Sequence, residues 1–332
     1  MFARRVFELL ASNTLIFSNY SRGVELLFGD LVFNCDSGVE ILKRYNKYDD
    51  VELRRIKLAG IRNVFSQHTY QHRFRHIISK VSLQDPPVLK KRVLIFAIIE
   101  DKQEAERIIS SFNSQVYPDC SLLLLQSQQF QIPDTKDVTV IELENIKAHF
   151  FEELMEESDF LSQFHSESLY GPYFIQDLIH ATEYIDKRAI TKPIINEKER
   201  GFTLVSEKNE YCSTNIINTR SVLFPKTMIM NKPVLPNLKL WKKEARIEFP
   251  GFAIDSFNFI ENYSQSERPN VENNVLDMKF EYSQLQTLSE HIVPDDISST
   301  GEYFSSADIY QQICDSNKEK VSVEFDSGKT II

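Results

Sequence analysis

Residues 3–32 read ARRVFELLASNTLIFSNYSRGVELLFGDLV and decide the fold of the first part of the chain. Residues 3–12 have the apolar spacing of an amphipathic helix, and 14–18 form a short apolar run typical of a buried strand. Residues 19–25 are a polar turn that enters another helix. The first helix needs a sheet to pack on, and no strand precedes it in the sequence. We therefore expect a preceding half that is missing or supplied by a partner.

The composition limits the function classes. The chain has 332 residues, of which 42% are hydrophobic and 11% aromatic, so two domains with full cores are expected. The formal net charge of −10 argues against nucleic acid or an anionic membrane surface as the main partner. The apolar runs are too short to span a bilayer, and the start of the chain lacks a signal-peptide pattern. Four widely spaced cysteines predict reduced thiols in a cytoplasmic protein.

The opening segment resembles the C-terminal lobe of the GT-B half in spore-maturation (CgeB-type) glycosyltransferases. That family has the pattern R-R-x-F-E-x-L-A-x-G-T-P, then a strand, then S-N-x-S-R-G and F-G-D-L-V. The resemblance implies a Rossmann-like lobe that grips a nucleotide-sugar. The matching residues are Arg4, Arg5, Phe7, Glu8, Leu10, Ala11, Thr14, Ser18, Asn19, Ser21, Arg22, Gly23, Phe28, Gly29, Asp30, Leu31 and Val32.

The resemblance implies a nucleotide-sugar-binding face. Glu8 stands where the second acid of the retaining E-x7-E pair belongs, and the first acid would fall before Met1. Ser21, Arg22 and Gly23 open a helix and are candidates for phosphate contact. The catalytic residues themselves are not identified.

Two observations weaken this assignment. A surface glutamate paired with Arg4 or Arg5 is an equally good interpretation of Glu8. The family's glycine before the strand is replaced by Asn13. Asparagine also adopts the left-handed conformation that the turn needs, so the fold should survive the replacement.

The predicted organisation has four parts. Residues 1–82 form the partial GT-B lobe, and 83–90 are a linker that contains paired prolines. Residues 91–262 alternate strands with helices, which predicts an α/β domain with a mostly parallel sheet. Residues 263–332 are rich in serine, asparagine and acids and are predicted to be a mostly disordered acidic tail.

The 91–262 segment resembles the family-2-like GT-A domain that follows the GT-B half in the same proteins. The matching residues are Ser111, Gln115, Tyr117, Pro118, Tyr170, Gly171, Pro172, Phe174, Asp177, Leu178 and the segment 251–260. A GT-A transferase uses an acidic cluster to hold a divalent metal on the diphosphate. Here the run of aspartates before Tyr-Gly-Pro is replaced, leaving His165 and Glu167 as weak metal candidates. Mg²⁺ or Mn²⁺ is expected only if this site is active.

Three histidines, His68, His72 and His76, follow an i, i+4, i+8 spacing that would place them on one helical face. The spacing allows metal binding, but interleaved arginines favour a packing and docking surface. No membrane span and no nucleic-acid partner are expected.

The sequence thus predicts a glycosyltransferase-family protein with largely degenerate catalytic motifs. If it is active, it transfers a sugar from a nucleotide-sugar to a cell-surface or spore glycan or to a protein acceptor. The alternative is a non-catalytic glycan-binding or scaffold module, or a truncated gene product, that partners an active glycosyltransferase.

Overall fold

A computed structural model describes residues 4–82, 90–132, 135–144, 156–193, 207–229 and 246–261. The chain divides into two units, Met1–Leu285 and Gln286–Ile332, and all the described residues belong to the first. The described helices are α1 (Arg5–Ala11), α2 (Arg22–Phe28), α3 (Gly38–Tyr45), α4 (Asp50–Asn63), α5 (Tyr70–Ser82), α6 (Lys102–Asn113), α7 (Phe174–Ala181) and α8 (Lys226–Ile229). A π-helix, Val64–His68, follows α4.

The described strands fall into three sheets. A parallel pair is formed by β1 (Ile16–Ser18) and β2 (Val32–Asn34), and a short antiparallel pair by β7 (Leu169–Tyr170) and β12 (Phe259–Ile260). The other eight strands form one sheet in the order β5-β4-β3-β6-β10-β8-β11-β9. These strands are β3 (Val93–Ile99), β4 (Cys120–Gln126), β5 (Val138–Glu142), β6 (Phe160–Gln163), β8 (Ala189–Thr191), β9 (Cys212–Asn218), β10 (Val222–Pro225) and β11 (Arg246–Ala253).

The eight-stranded sheet confirms the predicted α/β class. Four of its seven neighbouring pairs are parallel, and β10 runs antiparallel to both of its neighbours. Every residue of β3 is buried, because a central parallel strand is covered on both faces. The apolar run Val93–Ile99 therefore has no polar alternation, and α6 and α7 cover one of its faces.

In residues 4–82, called the first lobe here, α1, α2 and α4 pack around the β1–β2 pair. Leu10 of α1 is 1% exposed, and an added Cβ at Gly60 of α4 would lie 2.8 Å from Leu10 Cδ2, so the two helices approach closely. The α4 helix begins with a capping box, in which Glu52 N donates to Asp49 Oδ1 (2.8 Å) and Asp49 N donates to Glu52 Oε2 (3.0 Å). This cap fixes where α4 enters the lobe core.

Some element boundaries differ from the predictions. The strand predicted at 14–18 begins at Ile16. The α4 helix changes from α to π geometry after Asn63. The predicted linker, apart from Lys90, and the predicted tail lie outside the described residues. Within the described ranges no helix is long and apolar enough to cross a membrane.

Candidate functional site

A largely apolar cavity of about 690 Å³ lies beside α1 and is called the α1–α5 groove here. Its walls come from α1, from one residue of α2, from the π-helix and from the start of α5. The groove contains the predicted site residue Glu8 at its edge. The lining residues are Arg4, Phe7, Glu8, Ala11, Leu27, Val64, Phe65, His68, Thr69, Tyr70 and Arg73.

The π-helix shapes the inner wall of the groove. Its wider turn inserts an extra residue after α4, and such bulges change which side chains face a neighbouring space. Val64, Phe65 and His68 of this element line the groove. Thr69 then has extended backbone dihedrals (φ −67°, ψ 162°), which separate the π-helix from α5.

His68 is buried and lies against two aromatic rings. Its ring centroid is 5.4 Å from that of Phe7 and 5.6 Å from that of Phe28, both in edge-on geometry. Burial, with a contribution from nearby Arg73, lowers the pKa of His68 to about 4, so the ring is neutral at physiological pH. His68 Nε2 has no hydrogen-bond partner among the described residues. His68 therefore contributes a neutral, mostly buried ring to the wall of the groove.

The rim of the groove carries both signs of charge. Arg4 Nε lies 2.8 Å from Glu8 Oε1, and both side chains are exposed. Arg4 also donates to the Tyr70 hydroxyl (3.4 Å), and the Arg73 guanidinium carbon lies 4.4 Å from the Phe7 ring centroid. Glu8 is thus both an ion-paired surface residue and part of the groove. An exposed pair of this kind is weak and can exchange for a ligand.

The other predicted nucleotide-binding residues lie at a different place. Ser21 precedes α2 without a side-chain capping bond, Arg22 is exposed and Gly23 is half-buried. These residues follow the carboxyl end of β1, whereas α2 reaches the groove through Leu27. The cavity therefore holds Glu8 without Ser21, Arg22 or Gly23.

Asn13 adopts the predicted left-handed conformation, with φ 57°. It ends the turn between α1 and β1, where the resemblance expects glycine. The substitution thus preserves the backbone path that orients α1 along the groove.

The predicted histidine face does not form. His68 is in the π-helix, and the extended Thr69 interrupts the helical path before His72 in α5. Thr69 Oγ1 lies 2.7 Å from His72 Nδ1, and His72 N is 3.4 Å from the same hydroxyl. The i, i+4 spacing predicted a common face only because it assumed one continuous helix.

His165 and Glu167 follow the carboxyl end of β6. His165 Nδ1 is 3.9 Å from Glu167 Oε2, and that oxygen is also 3.8 Å from Arg220 Nη1. The Tyr170 hydroxyl accepts from His165 N (2.9 Å) and donates to Arg220 O (3.0 Å), which fixes this corner. Within the described ranges no three His, Cys, Asp or Glu side chains form a group that could hold a metal ion. One carboxylate facing an arginine does not fit a hard divalent cation on a diphosphate.

The acidic loop after β3 serves as a helix cap. Asp101 Oδ1 accepts from Glu104 N (2.8 Å), and Glu104 Oε2 accepts from Glu100 N (2.7 Å). Glu104 also accepts from the Ser166 hydroxyl (2.9 Å), which ties the loop to the β6 end. These carboxylates stabilise the start of α6.

Sequence reasoning missed a buried ion cluster of Arg62, Asp177, Lys192 and Asp255. Arg62 binds Asp177 through two parallel contacts, Nε–Oδ1 at 2.7 Å and Nη2–Oδ2 at 2.9 Å. Lys192 Nζ lies 3.2 Å from Asp177 Oδ2 and 2.7 Å from Asp255 Oδ1. The two cations and two carboxylates balance in charge, and Arg62 of α4 joins the first lobe to the large sheet. We name these four residues the ion cluster.

The two acids of the ion cluster have different surroundings. Burial alone would raise the pKa of Asp177, but Arg62 and Lys192 outweigh it and lower that pKa. Burial dominates at Asp255, which has Lys192 as its close cation, and raises its pKa to about 6. Both carboxylates are engaged by cations and are closed to a metal or substrate. The sequence signal for this cluster was the single acid Asp177 in the otherwise largely apolar helix segment FIQDLIHA.

A second polar contact also connects the lobe to the large sheet. Glu210 Oε1 accepts from Arg54 Nη2 (2.5 Å), from Ser256 N (2.6 Å) and from Ser256 Oγ (2.5 Å). Ser66 of the π-helix lies 3.2 Å from His180 Nε2 and accepts from Gln176 Nε2 (3.1 Å). One side of α4 and of the π-helix is therefore held by α7 and by segments next to β9 and β11, while other π-helix residues line the groove.

Comparison with known proteins gives one family-model match, and it covers the lobe that contains the α1–α5 groove. A search of curated proteins gave no match. Among solved structures, the crystal structure of S. aureus TarS 1-349 is similar at 8% identity, with a TM-score of 0.34. That similarity covers 51% of this chain and 59% of the TarS chain, and at this TM-score it does not define a shared fold. A family model described as glycosyl transferase-like matches residues 1–79, so this chain is similar to that family over the lobe that carries the α1–α5 groove.

Proposed function

We propose that this chain is a glycosyltransferase-type protein that binds a nucleotide-sugar at the α1–α5 groove. The observation that carries the proposal is the coincidence of the glycosyl transferase-like match over residues 1–79 with a cavity of about 690 Å³ in the same lobe. The finer assignment, a CgeB-type protein with a partial GT-B lobe and a GT-A-like domain, is supported by the sequence resemblance.

The chemistry of the groove suits such a donor. Phe7, Phe65 and His68 offer ring surfaces, and the exposed Arg4 and Arg73 offer cations for a diphosphate. Glu8 at the rim is an acceptor for sugar or ribose hydroxyls. In this proposal Ser21 and Arg22 extend the face beyond the cavity at the start of α2.

The state of the carboxylates favours the second candidate function, a non-catalytic partner of an active glycosyltransferase. Asp177 and Asp255 are held by Lys192, and Glu167 faces Arg220. The described ranges contain no group of side chains suited to hold Mg²⁺ or Mn²⁺ on a diphosphate. In this candidate the chain holds donor or glycan, and a partner or a missing GT-B N-terminal half supplies the catalytic groups. A cytoplasmic location and a cell-surface or spore acceptor belong to the proposal as well.

The test is a thermal-shift titration with UDP-, GDP- and CDP-sugars, with and without Mn²⁺. A donor present at a hundred times its Kd should stabilise the protein by about 2.7 kcal/mol. Glu8→Gln should weaken binding by about tenfold or more, because a hydrogen bond to a charged group contributes roughly 1.5–3 kcal/mol.

Glu106→Gln is the matched control, because Glu106 forms a similar exposed i, i+4 pair with Lys102. A metal-free shift that E8Q loses and E106Q keeps supports the groove. A shift that needs Mn²⁺ would indicate a working site in the GT-A-like domain instead. Absence of any shift with every donor would refute donor binding by the chain alone and leave the partner-dependent candidate.

A further inference from the structure

The α5 helix exposes a continuous apolar stripe. Tyr70, Phe74, Ile77 and Val81 are 72%, 63%, 57% and 79% exposed. At 100° per residue these positions fall within a narrow arc of one helix face, over about 16 Å of helix length. Large apolar side chains exposed in such a row mark an interaction surface more often than an accident of composition.

The opposite face of α5 packs against the rest of the protein. Residues 72, 75, 78 and 79 are half-buried, and this burial lowers the pKa of His72. The helix is therefore a convex ridge whose apolar stripe points away from the protein body. A convex apolar ridge can sink into the headgroup region of a membrane without needing a preformed complementary groove.

The charge of α5 differs from that of the whole chain. Residues 70–82 contain Arg73, Arg75 and Lys80 and no acidic residue, whereas the chain has a net charge of −10. Helical geometry places Arg73 and Lys80 along one side of the stripe, whereas Arg75 lies on the half-buried face. Basic side chains beside an apolar stripe are the pattern of helices that lie in a membrane interface. The same cations would repel a second copy of α5, since that copy offers no acid to pair with them.

We propose that α5 docks this protein on an anionic membrane surface, with Tyr70, Phe74, Ile77 and Val81 entering the headgroup region. Arg73 and Lys80 bind lipid phosphates and carboxylates, and their aliphatic stems extend the apolar contact. The acidic remainder of the chain is repelled by the same surface, so the protein docks with α5 towards the membrane. Tyr70 and Arg73 also line the α1–α5 groove, whereas Phe74, Ile77, Lys80 and Val81 do not, so the membrane contact does not require the donor site.

Vesicle co-sedimentation of the full chain tests the proposal. The two samples are vesicles of phosphatidylcholine with phosphatidylserine and vesicles of phosphatidylcholine alone. Two cations near the surface should make binding to the anionic vesicles about thirtyfold tighter, and added salt should weaken it. Equal binding to both vesicle types would overturn the proposal. So would failure to bind either, which would assign the stripe to a protein partner.

Matched substitutions locate the contact. Phe74→Glu should abolish vesicle binding, whereas Leu42→Glu on α3 should not, although Leu42 is also 63% exposed. Lys80→Gln should weaken binding about fivefold, and Lys136→Gln, in an exposed turn, should leave it unchanged. Unaltered melting temperatures identify folded variants. Equal losses in F74E and L42E would indicate nonspecific apolar adsorption and refute docking through α5.

Discussion

The α1–α5 groove and the ion cluster both combine arginine with carboxylates, but their surroundings give these groups different roles. Arg4 and Glu8 at the groove are 74% and 53% exposed, so water competes with their contact. Arg62 and Asp177 are 2% and 1% exposed and bind each other in a bidentate pair. Exposed charges can exchange for a ligand, whereas buried charges must keep their partners. Burial, more than residue type, therefore decides which of these groups is available for binding.

The largest effect that we expect is a loss of stability when arginine is replaced by methionine in the ion cluster, compared with the same replacement at the groove. Arg62→Met leaves the buried Asp177 with Lys192 as its close cation and should cost about 3–5 kcal/mol of folding free energy. Arg4→Met removes an exposed pair and should leave stability unchanged within error. Urea denaturation of both variants measures the contrast. Equal stabilities of R62M and R4M would show that the ion cluster does not hold the lobe to the large sheet.

The next effect is the pH dependence of stability. Burial lowers the pKa of His68 in the groove and of His180 behind the π-helix to about 4 in each case. Both folded-state values lie below the ordinary 6.5, so the unfolded chain binds more protons and stability falls as pH drops from about 6.5 to 4. Asp255 acts in the opposite direction between pH 6 and 3.8, because its folded-state pKa is raised to about 6.

Removing one of these histidines should reduce the acid sensitivity. His180→Gln should flatten the stability–pH slope by about 1.4 kcal/mol per pH unit in this window, and His68→Gln should do the same. Urea midpoints at several pH values give the slopes independently of any constant loss of stability. An unchanged slope in H68Q alone would mean that the groove histidine is hydrated in solution, and would separate the two regions more sharply.

The smallest effect tests the turn that orients α1. Asn13→Ala forces alanine into a left-handed conformation and should cost about 1 kcal/mol, since that conformation is unfavourable for a residue with a Cβ and no local polar group. Asn13→Gly should be close to neutral, because glycine loses more entropy but has no steric penalty. Thermal unfolding compares the two. A neutral N13A would show that the backbone at this end of the groove wall can relax, unlike the ion cluster.

Much of the secondary structure was predictable because its signals are local. The capping residues Asp49 and Glu52 start α4, and the apolar run 93–99 becomes the central strand β3. The left-handed Asn13 was also predicted, from the resemblance to a family that has glycine at this position. The π-helix was not predicted, because one inserted residue leaves the apolar pattern of the segment almost unchanged.

The candidate site was predictable only in part. Glu8 was identified through resemblance and lies on the groove with its neighbours in the α1 segment. The remaining groove residues are Leu27 and residues 56 or more positions further along the chain. His68, for example, was grouped with His72 and His76 because helical spacing was assumed to continue through Thr69. The placement of Ser21, Arg22 and Gly23 outside the cavity likewise depends on how α2 packs.

The sequence by itself determined the α/β class, the helix starts and the scarcity of acids directly before Tyr170, because each depends on residues close together in the chain. Only the tertiary structure decided which charges are buried. Arg62 meets Asp177 across 115 positions, and Lys192 meets Asp255 across 63. The energy of such pairs depends on distance and on the exclusion of water, and neither quantity is set until the lobe and the sheet pack together.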